Sequence, residues 1–341
     1  MADHGLLSSK PLRAAYSTID ATDLRDLIAS TYPFESPFEC GLLNRGFNDV
    51  YLLRFPDGRS KIARLSSRRA RGESNVAYET SLLCHLKAAG GDVAAPLSTN
   101  TGALSIEVYA AEGRRSLVVF EFLAGDPPGT DLQDTKAMAA SLATLHRLAQ
   151  DYSGPASHYV LDLQHLVIRP LQRLLNHASM DDLLAGRLRE IASSLIAKIE
   201  ATTQLTTVFC HGDCHGGNTF MTSSPDGRRV GSFFDFDDGG PGYLAYDLAV
   251  YLWAVLLNNR ELELSAEQSE QWRCFVDGYR EVSPLSPSDY SAIALFVSAR
   301  HFWFLGEYAS RSGEWGSAAL PPEWLEKQVG KLEQWGALET P

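Results

Sequence analysis

The stretch from Val208 to Asp247 constrains this chain more than any other. An apolar approach, Val208-Phe209-Cys210, enters the polar cluster His211-Gly212-Asp213-Cys214-His215-Gly216-Gly217-Asn218. A run over 218–222, a Pro225-Asp226-Gly227 turn and a second run over 229–236 lead on to Asp235 and Asp237. Two strands joined by a glycine-containing turn form a hairpin. The hairpin brings the residues before its first strand close to those ending its second. Asp213, Asn218 and Asp235 are therefore expected to converge on one site.

The spacing within the cluster narrows the chemistry. His211-x-Asp213-x4-Asn218 matches the H-x-D-x-x-x-x-N spacing of the protein-kinase catalytic loop. Phosphoryl transfer needs a carboxylate to orient the acceptor hydroxyl and hard oxygen ligands for magnesium near the phosphates. In this reading Asp213 is the catalytic carboxylate, and Asn218 and Asp235 are the metal ligands. Three rivals are weaker. A zinc cluster over Cys210-His211-x2-Cys214-His215 has no second ligand pair at the usual spacing. A nucleophilic Cys214 beside His215 needs adjacent side chains to face one another, which they rarely do. A chance match on a structural hairpin is the third.

At 341 residues the chain exceeds one small core, and two units are expected, 1–123 and 124–341. The formal charge of −12 argues against nucleic acid, which requires clustered Lys and Arg. It gives slight weight to a cationic substrate. Five cysteines, odd in number and sparse, fit a reducing compartment better than a disulfide framework. The first residues hold no apolar run of signal-peptide length, and the apolar run over 244–257 is interrupted by Asp247 and too short to span a bilayer. A cytoplasmic protein with no membrane partner is expected.

In chain order, residues 1–18 read as polar and irregular. A short helix follows, capped by Asp20 or Thr22 and running to Ser30, with Tyr32-Pro33 and Ser36-Pro37 breaking it. Strands over 38–43, 50–55 and 61–65 form an antiparallel meander. The loop Asn44–Asp49 carries Gly46, whose missing Cβ lets backbone N–H groups approach a phosphate. After a basic stretch (Arg68, Arg69, Arg71), a helix over 74–89 places Glu79 to pair with Arg64 or Lys61. Those two residues face opposite ways on a strand, so only one can point to a nucleotide. Strands over 102–110 and 115–122 run into Ala124–Gly129, a candidate hinge pivoting near Gly125. Helices are expected over 134–149, 161–177, 181–203, 245–258, 266–279, 287–308 and 322–335, with His146 structural.

Together these stretches resemble the aminoglycoside phosphotransferase/choline kinase-like family, which has a protein-kinase-like fold. The resemblance rests on Asn44–Tyr51, Ala63-Arg64-Leu65, Glu79, Phe120–Gly125, Ser141–His146, the HGDCHGGN cluster and FFDFDDGGPGYLAYDLA. It implies an α+β bilobal fold, with an N-terminal antiparallel sheet plus helix and a larger, mainly helical C-terminal lobe. It implies ATP and Mg2+ as cofactors, bound with help from Asn44, Gly46, Asn48, Arg64, Glu79, Glu121 and Leu123. Arg64 stands where the family often has Lys, and is expected to pair with Glu79. His215 lines the site, Asp237 approaches metal or acceptor, and His211 and Asp247 are scaffold.

The region 298–335 is similar to the stress-response kinase branch, with type II homoserine kinases as another near branch. Arg300, Trp303 and Glu307 share a helix face, so an aromatic ring and a carboxylate are expected to meet an ammonium group of the acceptor. The expected activity is transfer of the ATP γ-phosphate to a hydroxyl of a small polar, amine-bearing acceptor. The alternatives are a Ser/Thr protein kinase and a catalytically quiet nucleotide-binding regulatory protein.

Overall fold

The computed structural model describes residues 12, 14–35, 37–67, 69, 74–224, 226–257, 259, 264–316 and 320–341. Residues 1–11 and 13 of the expected irregular segment, Ser36 of the first helix break, Arg68 and Arg71 of the basic stretch, Pro225 of the hairpin turn and Asn258 at the end of the helix expected over 245–258 lie outside them.

The N-terminal part is a five-stranded antiparallel sheet with a helix on each face. Helix α1 (Ala21–Thr31) starts where Asp20 accepts hydrogen bonds from the amides of Thr22 and Asp23. Strands β1 (Glu39–Arg45), β2 (Asp49–Arg54) and β3 (Ser60–Leu65) form the meander, and α2 (Val76–Ala88) follows. Strands β4 (Ile106–Ala110) and β5 (Gly113–Glu121) complete the order β1-β2-β3-β5-β4. Strand alternation sorts the side chains. Tyr51, Leu53, Ala63, Leu65, Leu117 and Val119 pack with Leu24, Ile28 and Tyr32 of α1. Ile62, Val118 and Phe120 join the core that contains α2. Arg64 shares the parity of Ile62 and faces α2, whereas Lys61 shares that of Ala63.

Beyond the sheet the chain is mainly helical. Helix α3 (Leu132–Leu148) begins at the Asp131 cap, and α4 (Arg169–Leu175) and α5 (Asp182–Ala201) follow. Strand β6 (Thr207–Cys210) leads into the polar cluster, and β7 (Thr219–Ser223) and β8 (Arg229–Phe233) form the expected hairpin. Strand β9 (Gly240–Tyr243) pairs with β6. Helices α6 (Leu244–Leu257), α7 (Ala266–Arg280), α8 (Pro287–Ser310), α9 (Ser312–Trp315) and α10 (Pro322–Trp335) end the chain. One continuous apolar core joins helices α3 through α8 and α10 with α2 and one face of the sheet.

Three expectations are corrected. The second hairpin strand stops at Phe233 rather than Phe236, because Asp235 turns the chain with φ 63° and ψ 61°. Strand β9 was not foreseen, since Gly-Pro-Gly reads as a loop. The single helix expected over 161–177 is a wide turn over Gln164–Ile168 followed by α4. Pro170 has no N–H to donate to the preceding turn, and the Arg169 N–H instead reaches the Gln164 carbonyl five residues back.

Close helix packing leaves no room for a side chain at Gly278. A β-carbon on Gly278 of α7 would lie 2.2 Å from the Lys136 carbonyl oxygen of α3, whereas one on Gly330 of α10 meets nothing within 4 Å. Gly278→Ala should therefore destabilise the protein by roughly 2 kcal/mol or more. Gly330→Ala should be neutral or stabilising by up to about 1 kcal/mol. Denaturant unfolding of the two variants checks this, and equal effects would contradict the packing.

The core also carries a pH dependence. His301 of α8 is wholly buried, and its Nδ1 accepts from the Trp253 indole N–H at 3.2 Å. Burial holds its pKa down at about 3. An unfolded histidine protonates near 6.5, so only the unfolded state takes up this proton between the two values. The contribution of His301 is intact above about pH 6.5 and falls by roughly 1.4 kcal/mol per pH unit below it. His301→Phe should flatten that part of the acid limb in urea unfolding measured between pH 7 and pH 4.5.

Candidate active site

The site is built on Asp247, in the first turn of α6. Its carboxylate accepts from the amides of His211 at 2.8 Å and Gly212 at 2.7 Å, and from His146 Nε2 at 2.8 Å. His146 Nδ1 in turn accepts from the Tyr279 hydroxyl at 2.9 Å. Burial pushes the Asp247 carboxyl up, but His146 and the loop amides outweigh it and hold it below the usual range. Gly212 has φ 84°, and a β-carbon there would lie 2.1 Å from the Asp238 carbonyl oxygen. A side chain is excluded on both counts.

His211 ties this loop to the end of the hairpin. Its Nε2 donates to the Phe234 carbonyl at 3.1 Å, and its Nδ1 accepts from the Asp213 amide at 3.2 Å. Burial, against nearby Asp247, Asp213 and Asp235, keeps its pKa below the usual value. The neutral ring lies between Phe233 and Phe236.

The three residues expected to converge do come together. Asn218 donates through Nδ2 to Asp213 Oδ2 and to the Asp213 carbonyl, both at 3.0 Å. Its own carbonyl receives the Phe234 N–H at 3.2 Å, which brings Asp235 to within one residue of the pairing. Asp235 adopts the left-handed conformation, at a cost of about 1–2 kcal/mol for a residue with a Cβ. That turn leaves its side chain 43% exposed, against 20% for Asp213 and 5% for Asp237. The side-chain nitrogen of Asn218 is committed to Asp213, so its side-chain oxygen Oδ1 and the Asp235 carboxylate are the ligands left for a cation. Among the described residues no cluster of three or more His, Cys, Asp or Glu is placed to hold a metal. One carboxylate plus one amide oxygen suits a hard ion that keeps waters and bridges phosphates, as Mg2+ does.

Arg64 links the sheet to this cluster. Its guanidinium grips both oxygens of Glu79 on α2, with Nη1 to Oε1 at 2.8 Å, and reaches Asp235 Oδ1 at 3.0 Å. Burial alone would ease its proton off, but Glu79, Asp237 and Asp235 reverse this and hold it charged. The pairing of Arg64 with Glu79 is the one expected; Lys61 lies on the other strand face.

Other candidates are differently placed. Glu307 is wholly buried and held by Arg69 Nε at 3.1 Å and Arg173 at 2.8 Å. The Trp303 ring is covered by Arg300 at 4.3 Å and Arg69 at 5.7 Å. The ammonium subsite expected on this face is thus filled by the protein's own arginines, a correction that periodicity alone did not reveal. Asp237 is buried under Asn48 Nδ2 and Arg69, each at 3.0 Å. Asn48 also receives the Ser67 amide at 3.0 Å, so it braces the loop rather than presenting an open donor. Asn44 is exposed near the end of β1, where it pairs with Val50, and Gly46 is half-buried in the β1–β2 turn.

Glu121 pairs with Lys87 at 2.8 Å and its N–H serves the Ala95 carbonyl, while Leu123 is half-buried beside it. Gly125 is not a free pivot: a β-carbon there would meet the Met221 carbonyl oxygen at 2.6 Å. His215 Nε2 stands 3.5 Å from Asp213 Oδ1. Cys210 and Cys214 are fully buried, and burial pushes both thiols up, away from the thiolate that zinc or a nucleophile needs.

Sequence reasoning missed Arg69 as a site residue. It binds Asp237, Asp238 at 2.8 Å and Glu307, and its guanidinium lies 4.7 Å from the Phe47 ring at the tip of the β1–β2 loop. Arg311 covers Phe47 at 5.0 Å and donates to its carbonyl at 3.1 Å. The only sequence signal was the basic run after β3. A recess of about 410 Å3 lined by Leu257, Phe304, Tyr308, Trp324 and Lys331 shares no residue with the carboxylate cluster.

A sheet with its Arg64–Glu79 pair, set above a loop–hairpin carrying Asp213, Asn218 and Asp235, defines the protein-kinase-like fold. Residues 42–285 match the model of the phosphotransferase enzyme family, and the chain belongs to that family. An uncharacterized protein of Deinococcus radiodurans is 34% identical over 333 residues, 96% of this chain and 93% of the relative. Stress response kinase A of Salmonella typhi is 30% identical over 125 residues, 36% of this chain and 33% of that protein. Two solved structures share the fold. An amicoumacin kinase, in complex with AMP-PNP, Ca2+ and Ami, superposes with a TM-score of 0.71 at 19% identity, covering 92% of this chain and 94% of that one. A microcompartment-associated aminopropanol kinase gives 0.70 at 22% identity, covering 94% and 96%. The chain is thus a phosphotransferase. No described helix is long and apolar enough to cross a membrane.

Removing the anchor tests the scaffold. Asp247→Ala leaves two buried amides and His146 without their acceptor, at about 3 kcal/mol or more. Urea unfolding should show this loss at pH 7, and an unchanged midpoint would refute the anchoring role.

Proposed function

We propose that the protein transfers the γ-phosphoryl group of ATP, with Mg2+, to a hydroxyl of a small polar acceptor. The observation that carries this reading is the meeting of Asp213, Asn218 and Asp235 beneath the Arg64–Glu79 pair. The unit boundary at 123/124, just past β5, belongs to the same reading. Support for a small acceptor comes from the fold neighbours, an amicoumacin kinase and an aminopropanol kinase. The AMP-PNP and Ca2+ in the former support a nucleotide with a divalent metal.

Asp213 holds the acceptor hydroxyl by accepting its hydrogen bond, and takes its proton as the new oxygen–phosphorus bond forms. Burial raises the Asp213 carboxyl, but Arg300 and then His215 pull it well below the usual range. Such a carboxylate is a weak base and a good orienter, which suits a loose transition state with little demand for early deprotonation. Asn218 and Asp235 would hold the metal, which when bound would shield the charge on the phosphates. Arg64 keeps Asp235 placed. An amine on the acceptor is compatible with the neighbours and with the acidic surface, although Trp303 and Glu307 are not its binding site.

A second reading, a Ser/Thr protein kinase, is favoured by the segment 30% identical over 125 residues to a serine/threonine protein kinase of Salmonella typhimurium. A quiet nucleotide binder is disfavoured by the complete trio of Asp213, Asn218 and Asp235.

Asp213→Ala should lower phosphoryl transfer by about 10^3-fold while ATP affinity stays within severalfold. Asp235→Asn should abolish the Mg2+ dependence of nucleotide binding. ADP release across amino alcohols, sugars, aminoglycosides and a basic protein, with calorimetry for ATP, reads all three hypotheses. Full transfer by Asp213→Ala would sink the assignment, turnover of the basic protein alone would select the protein kinase, and ATP binding without turnover the quiet binder.

A further inference from the structure

Arg300 does something other than line an acceptor pocket. It sits in the middle of α8, yet its guanidinium reaches the loop between β6 and β7. Nη2 donates to Asp213 Oδ1, and Nη1 donates to the Gly212 carbonyl and the Tyr246 hydroxyl, both at 3.3 Å. The side chain is 4% exposed. The indole faces of Trp253 and Trp303 flank it, at 4.9 and 4.3 Å from the guanidinium carbon. A buried cation between two aromatic faces has no water to retreat to, so its geometry is set by the carboxylate it binds.

The effect on Asp213 follows from counting lone pairs. An ionised carboxylate offers about four acceptor positions. Asn218 takes one on Oδ2 and Arg300 one on Oδ1, from opposite ends, and His215 Nε2 stands 3.5 Å from Oδ1. The carboxylate is fixed in rotation, while its exposed edge keeps room for an incoming hydroxyl. A lysine at this position would supply the charge but not the fork that binds Asp213 and the Gly212 carbonyl together.

We propose that Arg300 is a positioning residue for phosphoryl transfer: from α8 it locks the orientation of Asp213 relative to the acceptor hydroxyl. The seating of α8 and the alignment of the reacting carboxylate thereby become one event. This rests on the reading of Asp213 as the carboxylate that orients the acceptor.

The test compares the full-length wild type with Arg300→Lys, Arg300→Ala and Asp213→Ala. The signal is ADP release from MgATP, with the amino alcohols, sugars and aminoglycosides of the acceptor panel and with water alone. Wild-type release that Asp213→Ala abolishes upholds the underlying reading. Release unchanged in Asp213→Ala, or absent in wild type, overturns that reading and this inference with it. Given Asp213 dependence, Arg300→Lys should lower kcat at least about 10^2-fold with KM for ATP within about threefold. Added guanidinium chloride at millimolar concentration should restore part of the rate of Arg300→Ala, and ammonium chloride should not. If Arg300→Ala does not fold, Arg300→Lys decides alone. A kcat within threefold of wild type in Arg300→Lys, or a folded Arg300→Ala that guanidinium does not rescue, overturns the proposal and leaves the role of Asp213 standing.

Discussion

Buried arginines make the carboxylate-rich cleft of this protein feasible. Asp213, Asp235, Asp237, Asp238, Glu79 and Glu307 crowd one region, and Arg64, Arg69 and Arg300 thread between them. Removing either sign alone would leave unpaired charge in a low-dielectric setting, which costs several kcal/mol per ion. The three cations come from separated stretches: β3, the segment after it, and α8. Pairing these buried carboxylates therefore requires sheet, hairpin and helices to be assembled together.

That requirement divides labour within the cluster. Glu79, Asp237 and Glu307 are consumed in pairing and are buried, whereas Asp235 is turned outward by its left-handed backbone. Asp213 lies between these extremes, held from two sides and open on a third. Asp247 carries the loop but touches none of the reacting positions, and His146 and Tyr279 support it from α3 and α7. Phe47, held between Arg69 and Arg311, draws the β1–β2 loop down onto the helical part. The β1–β2 loop and the helical part are thus linked through cation–π contacts as well as hydrogen bonds.

Much of this was legible in the sequence where local signals agree. The Asp20 cap, the period-2 strands and the hairpin turn each specify local structure, and the hairpin alone predicted the meeting of Asn218 and Asp235. Strand parity separated Arg64 from Lys61. What was not legible depends on distant partners. Nothing near Glu307 shows that Arg69, far away in sequence, neutralises it, so an amphipathic helix face read as an ammonium site. Pro241 in β9 and Pro170 beside the wide turn are local breakers that tertiary pairing overrode or reshaped. Gly125 read as a hinge because glycine marks flexibility as readily as close packing, and only the Met221 backbone distinguishes the two.

The central claim is that Asp213 directs the γ-phosphoryl group of ATP onto an acceptor oxygen. Phosphorus NMR of MgATP with a panel of small alcohols, comparing wild type with Asp213→Asn, tests it most directly. The account predicts a phosphate-monoester resonance growing in step with ADP in wild type and absent from the variant. The same resonance growing at the same rate in both would contradict it.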